Sequence, residues 1–221
     1  MSPSRRGKFI TIEGLDGCGK STQAEKLAAA LRAEGYEVIT TREPGGTPVA
    51  ERIRGVLLDS RTAGLAPMAE LALMFAARAQ HLAEVILPAL EAGKVIICDR
   101  FTDSSEAYQG YGRGVGSAVV LELHRALCED IQPDVTILMD SDVKDSVARA
   151  RRRNQTASNG VDESRFERES RGFFERVQQG YRAIAGREPQ RVLVVDARRT
   201  PEAVHKDILA AVRERVLAVK K

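Results

Sequence analysis

The sequence lacks the features of secreted, membrane-spanning and nucleic-acid-binding proteins. Among its 221 residues there are three cysteines, an odd number without CxxC spacing, which argues against a disulfide framework or a zinc site. No apolar run approaches the roughly 18 residues of a membrane span. The formal net charge of +3 is too small to indicate nucleic-acid binding. We therefore expect a cytoplasmic protein without membrane or nucleic-acid partners, in which any anion-binding site is local.

Short apolar runs alternate with longer segments of helical pattern along the whole chain. The runs are continuous rather than alternating, which is typical of strands buried on both faces of a parallel sheet. The length suits one α/β domain, so we predict a single domain over residues 1–221 with a doubly wound, five-stranded parallel sheet flanked by helices. Strands are predicted at 9–13, 38–41, 95–99, 135–140 and 192–196, and helices at about 20–34, 48–58, 67–92, 119–130, 143–153, 165–185 and 201–219.

A complete GxxxxGK[ST] motif follows the first predicted strand and makes the fold a P-loop NTPase type. Its glycines let backbone N–H groups surround a phosphate, and the N-terminus of the following helix adds positive potential. Lys20 is expected to reach the β- and γ-phosphates and Ser21 to bind Mg²⁺. The predicted ATP-binding residues are Gly14, Leu15, Asp16, Gly17, Cys18, Gly19, Lys20, Ser21 and Thr22. This motif alone does not distinguish a kinase from an ATPase, a GTPase or a transporter subunit.

Two further features narrow the choice. The guanine-reading motif NKxD is absent, because the only asparagines are Asn154 and Asn159. The third predicted strand ends in Asp99, at the sheet edge where ligands of such folds bind. We predict that Asp99 holds Mg²⁺ through water, since magnesium retains much of its hydration shell. The alternative is that Asp99 only caps the next turn.

Three arginines lie where ATP alone does not require them. Arg78 falls on the apolar face of the helix predicted at 67–92, where a guanidinium is costly unless it meets an anion or a fixed acceptor. Arg54 and Arg100 are also placed to reach the strand ends. Because arginine matches phosphate oxygens bidentately, we interpret the three as recognising an acceptor that already carries a phosphate. A surface charge or a structural ion pair is the alternative for each.

A second basic cluster ends the helix predicted at 143–153. It contains Arg149, Arg151, Arg152 and Arg153, and a polar loop separates it from Arg165. We predict that residues of about 150–165 form a lid whose arginines neutralise the transferring phosphoryl group while water is excluded. The alternative is a solvated helix end that favours the helix dipole.

In motif content and order the chain resembles bacterial thymidylate kinases, in particular those whose arginines lie in the lid. The resemblance covers roughly residues 8–217. It rests on EGLDGCGKSTQ (13–23), TREPGGT (41–47), LMFAARAQH (73–81), DRFTDSSEAYQGYGRG (99–114), PDVTILMD (133–140) and SRFERES (164–170).

The resemblance implies a homodimeric enzyme that uses Mg²⁺ and ATP to phosphorylate dTMP to dTDP for dTTP synthesis. By similarity, Arg78, Ser105 and Gln109 read thymine, and Tyr108 packs beneath the deoxyribose. Arg54 and Arg100 hold the acceptor phosphate. Asp16 and Glu43, the latter followed by Pro44, are the acidic residues near the sugar and the metal.

One position departs from the family pattern. Many members carry a phenylalanine four residues before the equivalent of Arg78, where it stacks on thymine, and this chain has Met74 there with Phe75 next to it. A step of one residue turns a helical side chain by about 100°. Either Met74 packs on the base, or the helix adjusts to present Phe75.

A monophosphate acceptor is already ionised, so catalysis needs positioning and charge neutralisation rather than a general base. The predicted catalytic residues are Asp16, Lys20, Asp99, Arg100, Arg149 and Arg153, with Arg151 as a further lid candidate. His81, His124 and His205 are expected to be packing or surface residues. Two other functions stay open: a deoxynucleoside kinase with Glu43 as the base, and a regulatory switch that binds nucleotide without net phosphoryl transfer.

Overall fold

The computed structural model describes residues 6–62, 64–156 and 164–217, and the side chains of 153–156 fall outside this description. In the described part, five parallel strands form one sheet in the order β2-β3-β1-β4-β5. This confirms the predicted doubly wound α/β class. The strands are β1 (Lys8–Glu13), β2 (Val38–Arg42), β3 (Val95–Asp99), β4 (Val135–Asp140) and β5 (Val192–Asp196).

Helices cover both faces of the sheet. On one face, Ile10 and Ile12 of β1 pack with apolar side chains of α1 and α9, and on the other face Phe9 packs with side chains of α3 and α6. Because neighbouring side chains of a strand point to opposite faces, this is the arrangement that an apolar run predicts. The helices are α1 (Lys20–Ala33), α2 (Pro48–Leu58), α3 (Pro67–His81), α4 (Leu87–Glu91), α5 (Thr102–Ser105), α6 (Ser117–Cys128), α7 (Val143–Thr156), α8 (Arg171–Arg187) and α9 (Pro201–Val212).

The pairing register of β1 and β3 determines where the P-loop and Arg100 lie relative to each other. Ile12 of β1 pairs with Asp99 of β3, so the two strands end side by side at the same edge of the sheet. The P-loop leaves from β1, and Arg100 leaves from β3 at this edge. The relative position of the P-loop and Arg100 is therefore determined by the pairing of two buried strands rather than by the conformation of the loops.

The helix predicted at 67–92 is observed as one continuous stretch, but it is not α-helical throughout. A π-helical segment, Leu82–Ile86, separates α3 from α4. Pro88 lacks an N–H group, and its ring would clash with the carbonyl of Glu84 in a regular α-helix. The wider π turn removes this contact.

Two further segments differ from the prediction. The helix expected to begin at residue 165 begins at Arg171, where the side chain of Ser170 accepts a hydrogen bond from the N–H of Phe173, and a short 3₁₀ turn, Phe166–Arg168, precedes it. Neither α5 nor the π-helical segment that continues it, Glu106–Gly112, was predicted from the sequence. The last predicted helix ends in a π-helical segment, Arg213–Leu217, and residues 218–221 lie outside the described part.

No helix in the described part of the chain combines the length and the apolar character needed to cross a bilayer. Cys18, Cys98 and Cys128 are all buried and free.

Candidate active site

The P-loop connects β1 to α1 and lies against α7, which is called the lid helix below because it runs into the lid predicted at about 150–165. Gly14, Gly17 and Gly19 all have positive φ angles, which L side chains rarely adopt. At Gly17 a Cβ atom would lie 2.3 Å from the carbonyl oxygen of Ser146 in α7. The absence of a side chain at residue 17 therefore lets the lid helix approach the phosphate-binding loop.

Lys20, the first residue of α1, is directed back over the loop. Its Nζ donates hydrogen bonds to the carbonyl oxygens of Gly14 (3.2 Å) and Leu15 (3.1 Å) and lies 3.7 Å from Asp16 Oδ1. The side chain is buried, so its charge is held in the loop. The residues of this region define the P-loop cleft, which is lined by Asp16, Gly17, Gly19, Lys20, Ser21, Thr22, Arg42, Glu43, Arg54, Asp99, Arg100 and Arg149.

Ser21 and Asp99 meet at the edge of this cleft. The Ser21 hydroxyl donates to Asp99 Oδ2 at 3.1 Å. The other carboxylate oxygen, Oδ1, is buried and has no hydrogen-bond partner among the described residues. A hydroxyl and a carboxylate with one unused oxygen are a donor set that suits Mg²⁺, which prefers oxygen ligands.

Arg100 lies at the centre of the site in a strained backbone conformation. Its φ angle is 73°, in the left-handed region that is unfavourable for a residue with a side chain. The guanidinium compensates with four hydrogen bonds, and it lies 4.8 Å from the centroid of the Tyr108 ring. The partners are Asp16 Oδ1 (2.8 Å), Tyr108 Oη (3.1 Å), Ser104 Oγ (2.8 Å) and Tyr181 Oη (3.1 Å).

A second cavity, the inner cleft, opens beside the P-loop cleft. Asp16, Glu43, Arg54 and Arg100 line both cavities, so the two meet at these four charged side chains. Arg54 is also held by the Pro44 carbonyl, to which its Nη1 donates at 2.9 Å. The inner cleft is lined by Asp16, Glu43, Pro44, Arg54, Leu58, Met74, Arg78, Arg100, Phe101, Ser104, Ser105, Tyr108, Gln109, Phe166 and Glu167.

Arg78 is 2% exposed and reaches the inner end of this cleft from α3. Its Nε donates to Glu43 Oε2 (2.7 Å), and its Nη2 donates to Ser105 Oγ (2.9 Å) and the Phe101 carbonyl (3.1 Å). Its Nη1 is buried without a hydrogen-bond partner among the described residues. A buried cationic donor without a partner is costly, which points to an acceptor atom supplied by a ligand.

Glu43 is fixed by two partners on α3. Besides Arg78, the His81 ring contacts it, with Nδ1 2.9 Å from Glu43 Oε1 and Nε2 2.7 Å from Thr41 Oγ1. Burial by itself would raise the pKa of Glu43, but Arg78 and His81 hold that pKa below its ordinary value. Glu43 is therefore a stable carboxylate, and His81 positions it rather than only filling the core.

Met74 lines the inner cleft, whereas Phe75 does not. Phe75 is fully buried in the cluster around Leu71, Ile86 and Phe101, and the Arg78 guanidinium lies 4.7 Å from the centroid of its ring. The α-helical turn between the two residues directs only the first toward the cavity. Met74 therefore has surface in the inner cleft and Phe75 has none, and contact of Met74 with a ligand stays a prediction.

The arginines of the predicted lid make different contacts in the described structure. Arg149 Nε donates to the Gly17 carbonyl at 2.7 Å and lines the P-loop cleft. Arg151 turns away and donates to the Glu167 carbonyl at 2.9 Å. Arg165 is buried and pairs with Glu70 at 2.7 Å, so it supports the fold at the far end of the lid. The side chain of Arg153 and residues 157–163 of the predicted lid lie outside the described part.

Glu13, the last residue of β1, is a fully buried carboxyl behind Arg100. It accepts hydrogen bonds from the N–H of Phe101 (2.7 Å), the Tyr181 hydroxyl (3.0 Å) and the Ser104 hydroxyl (2.5 Å). Burial, together with the nearby charge of Asp103, raises the pKa of Glu13 to about 7. Ser104 and Tyr181 also accept from Arg100, so Glu13 orients the groups that hold this arginine.

A family model described as thymidylate kinase matches residues 12–208 of the chain. The chain belongs to the thymidylate kinase family. It is 50% identical over 208 residues to the thymidylate kinase of Trichlorobacter lovleyi, covering 94% of this chain and 98% of that protein. It is also 50% identical over 196 residues to the thymidylate kinase of Desulfovibrio desulfuricans, covering 89% and 90% of the two chains.

A solved thymidylate kinase from Ehrlichia chaffeensis has the same fold. Its crystal structure matches with a TM-score of 0.75 at 33% identity and covers 96% of this chain and all of that one. The resemblance to thymidylate kinases stated from the motifs is therefore confirmed. The assignment to the type with lid arginines stays a prediction.

Most residues that the family resemblance singled out lie together. The predicted acceptor residues except Phe75 line the inner cleft, and Asp16, Gly17, Gly19, Lys20, Ser21, Thr22 and Arg149 line the P-loop cleft. Gly14, Leu15 and Cys18 do not line it, and the side chains of Leu15 and Cys18 are buried in the core. These three residues contribute to the loop through its backbone path.

Glu13, Glu70 and Phe166 were not predicted from the sequence as site residues, and His81 was expected to be a packing or surface residue. Glu13 ends an otherwise apolar strand, as Asp99 does, and this signal could have identified it. Phe166 lies in the SRFERES motif and meets the Tyr108 ring edge to face, with centroids 5.7 Å apart. No comparable signal marks Glu70, because its partners Gln109, Arg113 and Arg165 are distant in sequence.

Proposed function

We propose that the protein transfers the γ-phosphoryl group of ATP to dTMP, giving dTDP and ADP, in the cytoplasmic synthesis of dTTP. One observation carries the proposal. The P-loop cleft and the inner cleft join at Asp16, Glu43, Arg54 and Arg100. The γ-phosphate of a triphosphate bound at the P-loop would therefore lie next to an anionic acceptor bound in the inner cleft.

The inner cleft supplies contacts for each part of dTMP. Arg54 and Arg100 lie at its mouth and suit the acceptor phosphate, because guanidinium groups bind phosphate oxygens bidentately. Tyr108, held by Arg100 and Asp16, supports the deoxyribose. Arg78, Ser105 and Gln109 line the inner end and read thymine, and Met74 packs on the base through its polarizable sulfur.

Phosphoryl transfer in this site depends on position and charge. The acceptor oxygen is ionised, so no residue has to remove a proton. Lys20 moves from its loop carbonyls to the β- and γ-phosphates, and Arg149 neutralises charge on the transferring group from the lid side. Arg100, fixed by four hydrogen bonds, aligns the acceptor phosphate, and Asp16 orients Arg100.

The residues present fit a magnesium ion. Ser21 and Asp99 would hold it, and the buried, unpartnered Oδ1 of Asp99 is the atom left for this purpose. The ion supplies neutralisation of the phosphate charge when it is bound with ATP.

The deoxynucleoside kinase alternative requires Glu43 as a base that removes a proton from a sugar hydroxyl. Glu43 is engaged by Arg78 and His81, and its lowered pKa makes it a weak base. This observation favours the monophosphate as acceptor.

The test is a coupled assay of ADP release with Mg²⁺ and ATP, using dTMP, dUMP, AMP, CMP, UMP and thymidine as acceptors. We expect the highest kcat/KM with dTMP. A clear preference for thymidine or AMP would refute the assignment, and ADP release that is independent of the added acceptor would favour a nucleotide switch.

We also propose that the protein is a homodimer. Val49 and Val56 of α2 and Met68 of α3 are about half exposed on neighbouring helices, and burying them against a second copy is favourable. The mass in solution, measured by light scattering, tests this proposal, and a monomer at micromolar concentration contradicts it.

A further inference from the structure

Glu70 is a buried carboxylate that the proposed mechanism does not use. It lies on α3, four residues before Met74, and is fully buried. It accepts hydrogen bonds from Gln109 Nε2 (2.7 Å), from Arg113 Nε (3.2 Å to each oxygen) and from Arg165 Nη1 (2.7 Å). Gln109 lies in the π-helical segment Glu106–Gly112 and Arg113 directly follows it, whereas Arg165 lies in a distant part of the chain. Glu70 therefore joins these two parts to α3.

This contact decides which way the Gln109 side chain faces. Both oxygens of Glu70 already accept hydrogen bonds from guanidinium groups, and a carboxylate oxygen can only accept. The NH₂ group of Gln109 must therefore point to Glu70. Gln109 also lines the inner cleft. Its carbonyl oxygen, Oε1, is the atom left for a ligand there, as an acceptor.

Arg78 supplies the complementary atom. Its unpartnered Nη1 is a donor, and its Nη2 bonds Ser105, which lies four residues before Gln109 on the same helical segment. A donor beside an acceptor matches a base edge that carries C=O next to N–H. Thymine and uracil have this edge at O4 and N3, whereas cytosine presents the opposite pattern.

We infer that Glu70 is a specificity-determining positioning residue, which fixes the Gln109 amide so that the site accepts a base with N–H at position 3. The inference rests on the proposed function, because it takes dTMP as the acceptor. Glu70 acts only through Gln109 and does not itself line the cleft.

The substitution Glu70→Gln tests this orientation, because the arginines determine where the new NH₂ group lies. At the Oε2 position it would face both Arg165 Nη1 and Arg113 Nη2, which lie 2.7 and 3.1 Å from that oxygen. At the Oε1 position it would face Gln109, which can turn its amide by 180° and accept. Arg113 Nε lies 3.2 Å from both oxygens and so disfavours the two positions equally. The turned amide presents NH₂ to the base, a mismatch for thymine and a match for cytosine N3.

The experiment measures kcat/KM for dTMP and for dCMP in the wild type and in Glu70→Gln. We expect the ratio of kcat/KM for dTMP to that for dCMP to fall by about 10- to 100-fold in the variant. This is the effect of replacing one buried hydrogen bond to thymine N3–H by an unfavourable contact between two donors. The Arg78 contact disfavours cytosine equally in both proteins and cancels in this comparison. Thermal unfolding reports whether each variant is folded.

Two controls separate orientation from general damage. Glu106→Gln removes another fully buried carboxylate, which pairs with Arg187 outside the inner cleft, and should leave the ratio unchanged. In a Gln109→Leu background, Glu70→Gln should have no further effect on the ratio, since there is no amide to turn.

The outcomes are distinct. A wild type without preference for dTMP over dCMP overturns the proposed function and the inference with it. A selective wild type whose ratio survives in Glu70→Gln overturns the inference alone. If Glu70→Gln does not fold, the single variant Gln109→Leu decides: an unchanged ratio means that the amide does not read the base and Glu70 has nothing to position.

Discussion

Replacing Glu13 with glutamine should remove a pH dependence from the stability of the protein. The ordinary glutamate pKa of 4.5 describes the unfolded chain, and burial raises the pKa of Glu13 to about 7 in the folded state. Between these values the folded protein binds a proton that the unfolded chain has lost. Stability from this group is therefore present below pH 4.5 and is lost as the pH rises to 7.

The magnitude follows from the two pKa values. At about 1.4 kcal/mol per tenfold change in proton affinity, the full effect is about 3 kcal/mol, and about 2.5 kcal/mol of it falls between pH 5 and pH 8. This is a large share of a typical unfolding free energy of about 5–15 kcal/mol. Glutamine keeps the shape of the side chain but does not titrate.

The assay is urea unfolding of the wild type and of Glu13→Gln at pH 5 and pH 8, with the free energy of unfolding extrapolated to water. Groups that do not interact with Glu13 contribute equally to both proteins, so the difference between their pH dependences isolates Glu13 together with its interaction with Asp103. We expect the wild type to lose about 2.5 kcal/mol more than the variant on going to pH 8. If both proteins lose the same amount, within about 0.5 kcal/mol, the reasoning on Glu13 is wrong.

Two further predictions concern the phosphate-binding elements. Gly17→Ala should destabilise the protein and raise the KM for ATP more than Gly35→Ala does, because both glycines have a φ angle above 80° but only Gly17 has the α7 backbone against it. Equal effects in thermal unfolding and kinetics would mean that the lid helix does not depend on this contact. Arg100→Ala should lower kcat/KM for dTMP by about 10²- to 10³-fold while ATP affinity, measured by calorimetry, changes little. Equal loss of both would assign Arg100 to the P-loop.

The strands and the P-loop could be predicted from the sequence because each carries a local signal. Apolar runs such as that of β3 are typical of strands buried on both faces. The glycine spacing of residues 14–19 is typical of a phosphate-binding loop between a strand and a helix. The parallel pairing that brings Asp99 beside the P-loop then follows from the fold class. The catalytic edge of the sheet was therefore predictable without any contact information.

The segment after Arg100 could not be predicted in the same way. Residues 102–112 are polar or small and read as a loop, yet they form α5 and a π-helical segment whose side chains are mostly buried. Their polar groups find partners on distant elements, as Ser104 does with Glu13 and Gln109 with Glu70. Periodicity reports the apolar face of a helix, and it carries no information about a helix that faces a polar site.

The choice between Met74 and Phe75 also lay beyond the sequence. The two are adjacent, and the direction of each side chain depends on the rotation of α3 about its axis. That rotation is set by packing of Leu71 and Phe75 into the core, which leaves Met74 toward the cleft. The local sequence pattern predicts the helix, and only tertiary packing shows which of the two side chains faces the cleft.

The left-handed backbone at Arg100 limits which residues the position tolerates. Another long side chain, such as lysine, would carry the same backbone strain and lose the planar fork that reaches Asp16, Ser104 and Tyr181 together. Glycine or asparagine would relax the backbone but reach none of these groups. Replacements at this residue therefore either keep the strained backbone or lose the hydrogen bonds of the guanidinium, and no single exchange relaxes the backbone while keeping those bonds.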